Sequence, residues 1–178
     1  MISTLPNRKL PKNDETFSDR KQRIYDFLQA QPVGVLSTVG PDGDPHGVVI
    51  YYGVNKQLLI SFLTRAETRK YDNIKHHNHV MLTVFEPHSQ TTAQITGRAI
   101  EITDNYDINA VAATMLKASL KTSEAGTPPL AKLEAGAYVA FKIDPVQIRM
   151  AVYVRPDSGG HTELFETVES FELHDQGN

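Results

Sequence analysis

Short runs of apolar and β-branched residues, each closed by turn-forming residues, recur along this chain, and no βαβ rhythm separates them. That feature sets aside a doubly wound parallel sheet and predicts an antiparallel sheet, closed or split into a barrel. Val33 to Thr38 is the first run. The turn-rich Gly40-Pro41-Asp42-Gly43-Asp44-Pro45 joins it to a second, His46 to Val54, as a β-hairpin. Asn55-Lys56-Gln57 turns the chain again before Leu58 to Leu63. Val80 to Phe85 and Thr91 to Ile102 flank Glu86-Pro87-His88-Ser89, and Tyr138 to Ile143 with Gln147 to Val154 reads as a last strand pair around Asp144-Pro145. The tail adds an expected edge strand at Glu163 to Phe171.

Three segments carry a helical period instead. Ile24, Phe27 and Leu28 lie at helical spacing with Phe17 two turns upstream, and Thr16 with Asp19 supplies a cap, so a helix is expected from about 17 to 30, ended by Gln31-Pro32. Thr64 to Asn78 is polar, with Tyr71 and Ile74 three apart, which predicts a short helix from near Glu67 after a loop at Thr64 to Ala66. Ile108, Val111, Ala112, Met115 and Leu116 make one face of a third helix. The expected fold is therefore mainly β (α+β): an antiparallel split barrel of six or seven strands with peripheral helices.

With 178 residues and 40% hydrophobic content, one domain is the natural reading. Residues 1–16 are expected as a polar arm, 17–156 as the barrel domain and 157–178 as a tail. A formal charge of −3 offers no global basic field for nucleic acid. The absence of cysteine excludes disulfides, thiolate zinc, iron–sulfur clusters and cysteine nucleophiles. No apolar stretch is long enough for a membrane span, and Asn7, Arg8, Lys9, Pro11 and Lys12 replace the apolar core of a signal peptide, so a cytoplasmic protein is expected.

Chemistry concentrates in Phe62-Leu63-Thr64-Arg65-Ala66-Glu67-Thr68-Arg69-Lys70, where two hydroxyls and three cations stand at a strand-to-helix handover. A phosphate wants that supply: hydroxyl and backbone N–H donors, guanidinium forks and the positive end of a helix dipole. A solvated first helical turn has the same composition, so residue types alone leave both readings open.

At these residues the chain resembles the FMN-binding split barrels of the pyridoxamine 5′-phosphate oxidase-like superfamily. There a strand ends in an aromatic-Thr or similar pair and a Ser-Arg-Lys triplet begins the next helix; here Leu63-Thr64 and Thr68-Arg69-Lys70 sit at that spacing. His77-Asn78-His79-Val80 stands where the family has Asn-Pro-x-Val, and Thr92 to Gly97 matches its strand ending in glycine. The likeness covers about residues 17 to 103. It implies that Arg69 and Lys70 hold an FMN phosphate with help from the hydroxyls of Thr64 and Thr68, beside Leu63. It also implies that the backbone of Val48, Val49, Ile50 and Tyr51 lines the isoalloxazine ring. The family's flavin-touching glutamine is replaced by Thr92, with Gln94 on the same strand face as a substitute. A homodimer with the cofactor at its two-fold interface and a small-molecule substrate is implied as well.

The likeness to the vitamin oxidases themselves fails in several places. Gly47 to Gly53 holds no cation, Tyr106 to Gly126 has no counterpart of the family's substrate-phosphate Tyr, Arg and Ser, and the chain has no Trp. Glu172-Leu173-His174-Asp175 resembles the oxidases' terminal Arg-Leu-His only without its arginine. His76, His77 and His79 crowd one helix end, but cations suit a helix C-terminus and no carboxylate stands at a ligand spacing, so no metal site is assigned. Tyr51, Tyr52, Phe62 and Tyr71 are read as core or dimer contacts rather than ring-stacking groups. The expected function is an FMN-dependent oxidoreductase. The alternatives are a deazaflavin-dependent reductase of the same fold, a non-enzymatic flavin- or haem-binding protein with His46 as a candidate haem ligand, and a structural dimer with an empty cleft.

Overall fold

Helix α1 (Phe17–Ala30) buries Ile24, Phe27 and Leu28 along one stripe and stops where Pro32 steers Gln31 out of helical geometry. The computed structural model describes residues 17–122, 138–153 and 165–168; the expected arm and most of the expected tail lie outside them. After α1 come β1 (Val33–Val39), β2 (Pro45–Tyr51), β3 (Gly53–Val54), β4 (Ile60–Thr64), α2 (Arg69–His76), β5 (His79–Glu86), β6 (Thr91–Ile102), α3 (Asn105–Thr122), β7 (Val139–Tyr153) and β8 (Phe165–Val168). Among the described residues seven strands follow one antiparallel path, β2-β1-β5-β6-β7-β4-β3, and β8 adds to β7 at Met150 to Tyr153. The path curls until β2 approaches β4, yet these two do not pair. The open seam between them makes the sheet a split barrel, as the strand pattern predicts.

Strand alternation fills the barrel. Leu36, Leu82, Ile95 and Ile148 stand opposite one another across β1, β5, β6 and β7, all fully buried. Burial of each contributes about 1.5–3 kcal/mol, against at most about 1 kcal/mol for an exposed ion pair, so this row and not the surface charge holds the fold. Phe62 and Phe141 stack at 5.6 Å between centroids, with Tyr71 edge-on to Phe141 at 6.0 Å. Tyr52 is buried and its hydroxyl donates to the Leu28 carbonyl at 3.0 Å, tying α1 to the barrel. Phe62 and Tyr52 are thus core residues and Tyr71 packs against the core.

Four boundaries differ from the sequence expectation, each for a local reason. The second strand breaks at Tyr52, whose side chain turns inward, so Gly53 and Val54 pair with β4 instead. The third strand starts at Ile60 because Leu58 takes φ 64° in a turn where Asn55 Oδ1 accepts from the N–H groups of Gln57 and Leu59. Helix α2 begins at Arg69, leaving Thr64 as the last strand residue. The expected last strand pair is one strand, β7, because Asp144-Pro145 forms a bulge and not a turn. Thr96 faces Gln147 and Gly97 faces Pro145, which leaves Val146 without a partner where proline has no N–H to give.

Candidate functional site

Between β4 and α2 the two predicted hydroxyls meet. Thr64, which is buried, has its Oγ1 2.8 Å from Thr68 Oγ1, and both hydroxyls reach the Arg65 carbonyl, Thr68 at 2.8 Å and Thr64 at 3.3 Å, so one donates to that carbonyl and the other to its neighbour. Both protons are thereby used inside the loop, and offering one to an anion requires that hydroxyl to turn. Arg65 pairs with Glu67 across the same loop. The consequence falls on α2: Thr68 occupies the N-cap with extended backbone but makes no side-chain capping bond. Tyr71 and Asp72 donate to the Thr68 carbonyl, whereas the N–H groups of Arg69 and Lys70 have no acceptor among the described residues.

The two remaining predicted cations flank that open helix end. Arg69 is exposed, Lys70 is half-buried, and neither forms an ion pair with a described residue. Burial pushes the Lys70 ammonium below its usual pKa, with no neighbouring carboxylate to offset it. Two N–H groups, a guanidinium and an ammonium, all without a described partner, therefore belong to the first turn of one helix, a supply of donors and positive charge that suits an anion.

β2 supplies a second kind of donor. The Tyr52 N–H reaches the Pro32 carbonyl at 3.0 Å, and by antiparallel alternation Ile50, Val48 and His46 direct their backbone groups to β1. Val49 and Tyr51 direct theirs to the open seam, because β2 ends the sheet path. Of the four predicted ring-lining residues, two thus have backbone groups without a described partner, and Val48 and Ile50 point their side chains into the barrel. Leu63 and Tyr51 both pack, with Ile102 and Ile108, against the cluster of Val111, Met115 and Ala140, which brings the strand edge and the β4–α2 loop to one place.

Thr92 and Gln94 do not join them within one chain. They sit on the outer face of β6, three strand spacings from β2, or about 14 Å along the sheet. Gln94 stands in the cross-strand row Val49, Val35, Thr83, Gln94, Arg149. That outer face carries exposed Val49 (64%), Phe85 (56%), Val35 and Met81.

Sequence reasoning missed a further cleft of about 460 Å³ between α3 and the outer face of β4 and β7, lined by Ser61, Lys142, Glu101, Asp107, Val111 and Thr114 among others. It gathers residues far apart in the chain, with Ser61 of β4 facing Lys142 of β7, so nothing local in the sequence marks it. Among the described residues no group of three side chains is placed to hold a metal ion, and the His77 and His79 rings meet edge-on at 5.0 Å. His46 lies across from Thr38 on the inner face, with its Nδ1 enclosed and no described partner. No described helix is long and apolar enough to cross a membrane.

A family model described as pyridoxamine 5′-phosphate oxidase matches residues 21–151. No curated protein matches the chain. Among solved structures, a conserved hypothetical protein from Mycobacterium tuberculosis is similar at a TM-score of 0.64 and 20% identity, covering 87% of this chain and 100% of that one. A pyridoxamine 5′-phosphate oxidase-related, FMN binding protein from Nostoc punctiforme is similar at 0.53 and 17%, covering 84% and 92%. A heme binding protein from Mycobacterium smegmatis is similar at 0.60 and 14%, covering 87% and 59%. At these identities the three share the fold.

Proposed function

The chain belongs to the pyridoxamine 5′-phosphate oxidase family, and from that premise we propose that it binds FMN at the β4–α2 junction and works as a flavin-dependent oxidoreductase on a small molecule. The observation that carries this reading is the start of α2, which has no side-chain cap and where Arg69 and Lys70 stand with two N–H groups that have no described acceptor. The fold shared with an FMN binding protein supports the choice of flavin.

In this reading Arg69 and Lys70 neutralise the phosphate while the Arg69 and Lys70 N–H groups bond its oxygens. The free backbone groups of Val49 and Tyr51 orient the ring by its polar edge, a role that tolerates any side chain. Thr92 and Gln94 reach the ring from a second copy, whose β6 face covers the exposed apolar strands. The bound flavin supplies reversible hydride or electron transfer. No cation stands on Gly47 to Gly53, so the substrate is not held as in the vitamin oxidases.

The test is flavin titration followed by absorbance and fluorescence. Removing both cations in Arg69→Ala/Lys70→Ala is expected to weaken FMN by about 3 kcal/mol, roughly 150-fold, and to leave riboflavin, which has no phosphate, unchanged. Undiminished FMN binding would move the site elsewhere. A protein that ignores FMN but takes up a deazaflavin or haem would replace the cofactor, and turnover with a reductant separates an oxidoreductase from a binding protein.

A further inference from the structure

The two halves of the proposed site stand on elements that the chain connects only through long excursions: the phosphate end on α2 and the ring edge on β2. What fixes one against the other is visible in the core. Asn73 lies on α2 one turn after Arg69 and Lys70 and is only 2% exposed. Its Nδ2 donates to Thr38 Oγ1 on β1 at 3.0 Å. Thr38, 1% exposed, in turn donates that hydroxyl to the His46 carbonyl on β2 at 3.4 Å. An unbroken hydrogen-bond relay therefore runs from α2 through β1 to β2.

The other fully inward residue of α2 is Ile74, which packs in the apolar core. Apolar contact attracts without direction, so a helix held only by Ile74 and by the packing of Tyr71 on Phe141 can turn or slide by a fraction of a residue. A buried amide bonded to a buried hydroxyl allows one arrangement, because any other leaves both groups unsatisfied. We infer that Asn73 and Thr38 are positioning residues: through the relay to His46 they set the distance and rotation of Arg69 and Lys70 relative to the β2 edge, and so select a ligand whose phosphate lies one fixed length from its ring. This rests on the flavin reading above. Neither residue touches the ligand.

The experiment compares FMN with riboflavin in the full chain. The key variant is Thr38→Val/Asn73→Leu, which removes both polar partners together and leaves no orphaned group, so folding is preserved. Its FMN affinity is expected to fall about tenfold or more while riboflavin affinity changes little, lowering the FMN-to-riboflavin ratio by that factor. Thr38→Ser, which keeps the hydroxyl, is expected to keep the wild-type ratio. A folded double variant with an unchanged ratio, or a parallel loss of both flavins, would overturn the relay's role alone. Wild-type protein that binds neither flavin would instead bring down the flavin reading, and this inference with it.

Discussion

At the scale of single residues, Lys70 makes the most specific demand on an experiment. Its pKa in the folded chain lies below the ordinary 10.5 because burial disfavours the charge. Between that lowered value and 10.5 the unfolded chain binds more protons than the folded one, so stability without ligand is expected to rise with pH across this window. A phosphate dianion beside Lys70 reverses the preference, so FMN affinity is expected to fall as pH climbs through the lowered value. Flavin titrations across alkaline pH measure this, and Lys70→Met is expected to flatten the profile. A wild-type profile as flat as the variant's would remove Lys70 from the site. The Thr64 to Lys70 window was legible in the sequence because its hydroxyls and cations are neighbours in the chain. The engagement of Thr68 with Thr64 and Arg65, which leaves α2 uncapped, was not legible, since the same residue types also make a capped helix. Nor was the Asn73–Thr38 bond, because nothing local links residues so far apart.

At the scale of elements, the β6–β7 ladder shows where strand logic meets its limit. Asp144-Pro145 has turn composition, yet Gly97 on the facing strand lets β7 pass without turning. A Cβ at position 97 would stand 2.4 Å from the Asp144 carbonyl oxygen and 2.8 Å from Ile143 Cγ2. Backbone oxygen cannot move aside as a flexible side chain can, so Gly97→Ala is expected to destabilise the protein by about 1–3 kcal/mol. Chemical denaturation reads this, and wild-type stability would mean that the bulge relaxes freely. Helix α1 was legible to the residue because Pro32 and the apolar spacing agree. The division of the second strand at Tyr52 was not, because the Tyr52 hydroxyl bond to Leu28 depends on a helix packed from elsewhere.

At the scale of the whole molecule, the outer face of β2, β1 and β5 is uncovered by any described residue, while Thr92 and Gln94 stand apart from the β4–α2 junction. A self-complementary pairing answers both, and a stable one needs roughly 800 Å² from each copy. Val49→Asp/Phe85→Asp is expected to yield monomers and to lower FMN occupancy, as read by sedimentation and the flavin spectrum; wild-type protein that is monomeric with full occupancy would refute the pairing. The antiparallel barrel as a class was plain from the rhythm of short strands, but which faces meet another copy is a property of the closed sheet. The strand order also imposes a sequence in time. Among the described residues β4, which carries Thr64, has only the two-residue β3 as a strand partner until Val139–Tyr153 arrives to pair with it. During synthesis every residue named for the phosphate has therefore left the ribosome long before its supporting strand, so a ribosome-stalled chain ending before Val139 holds the motif without its scaffold.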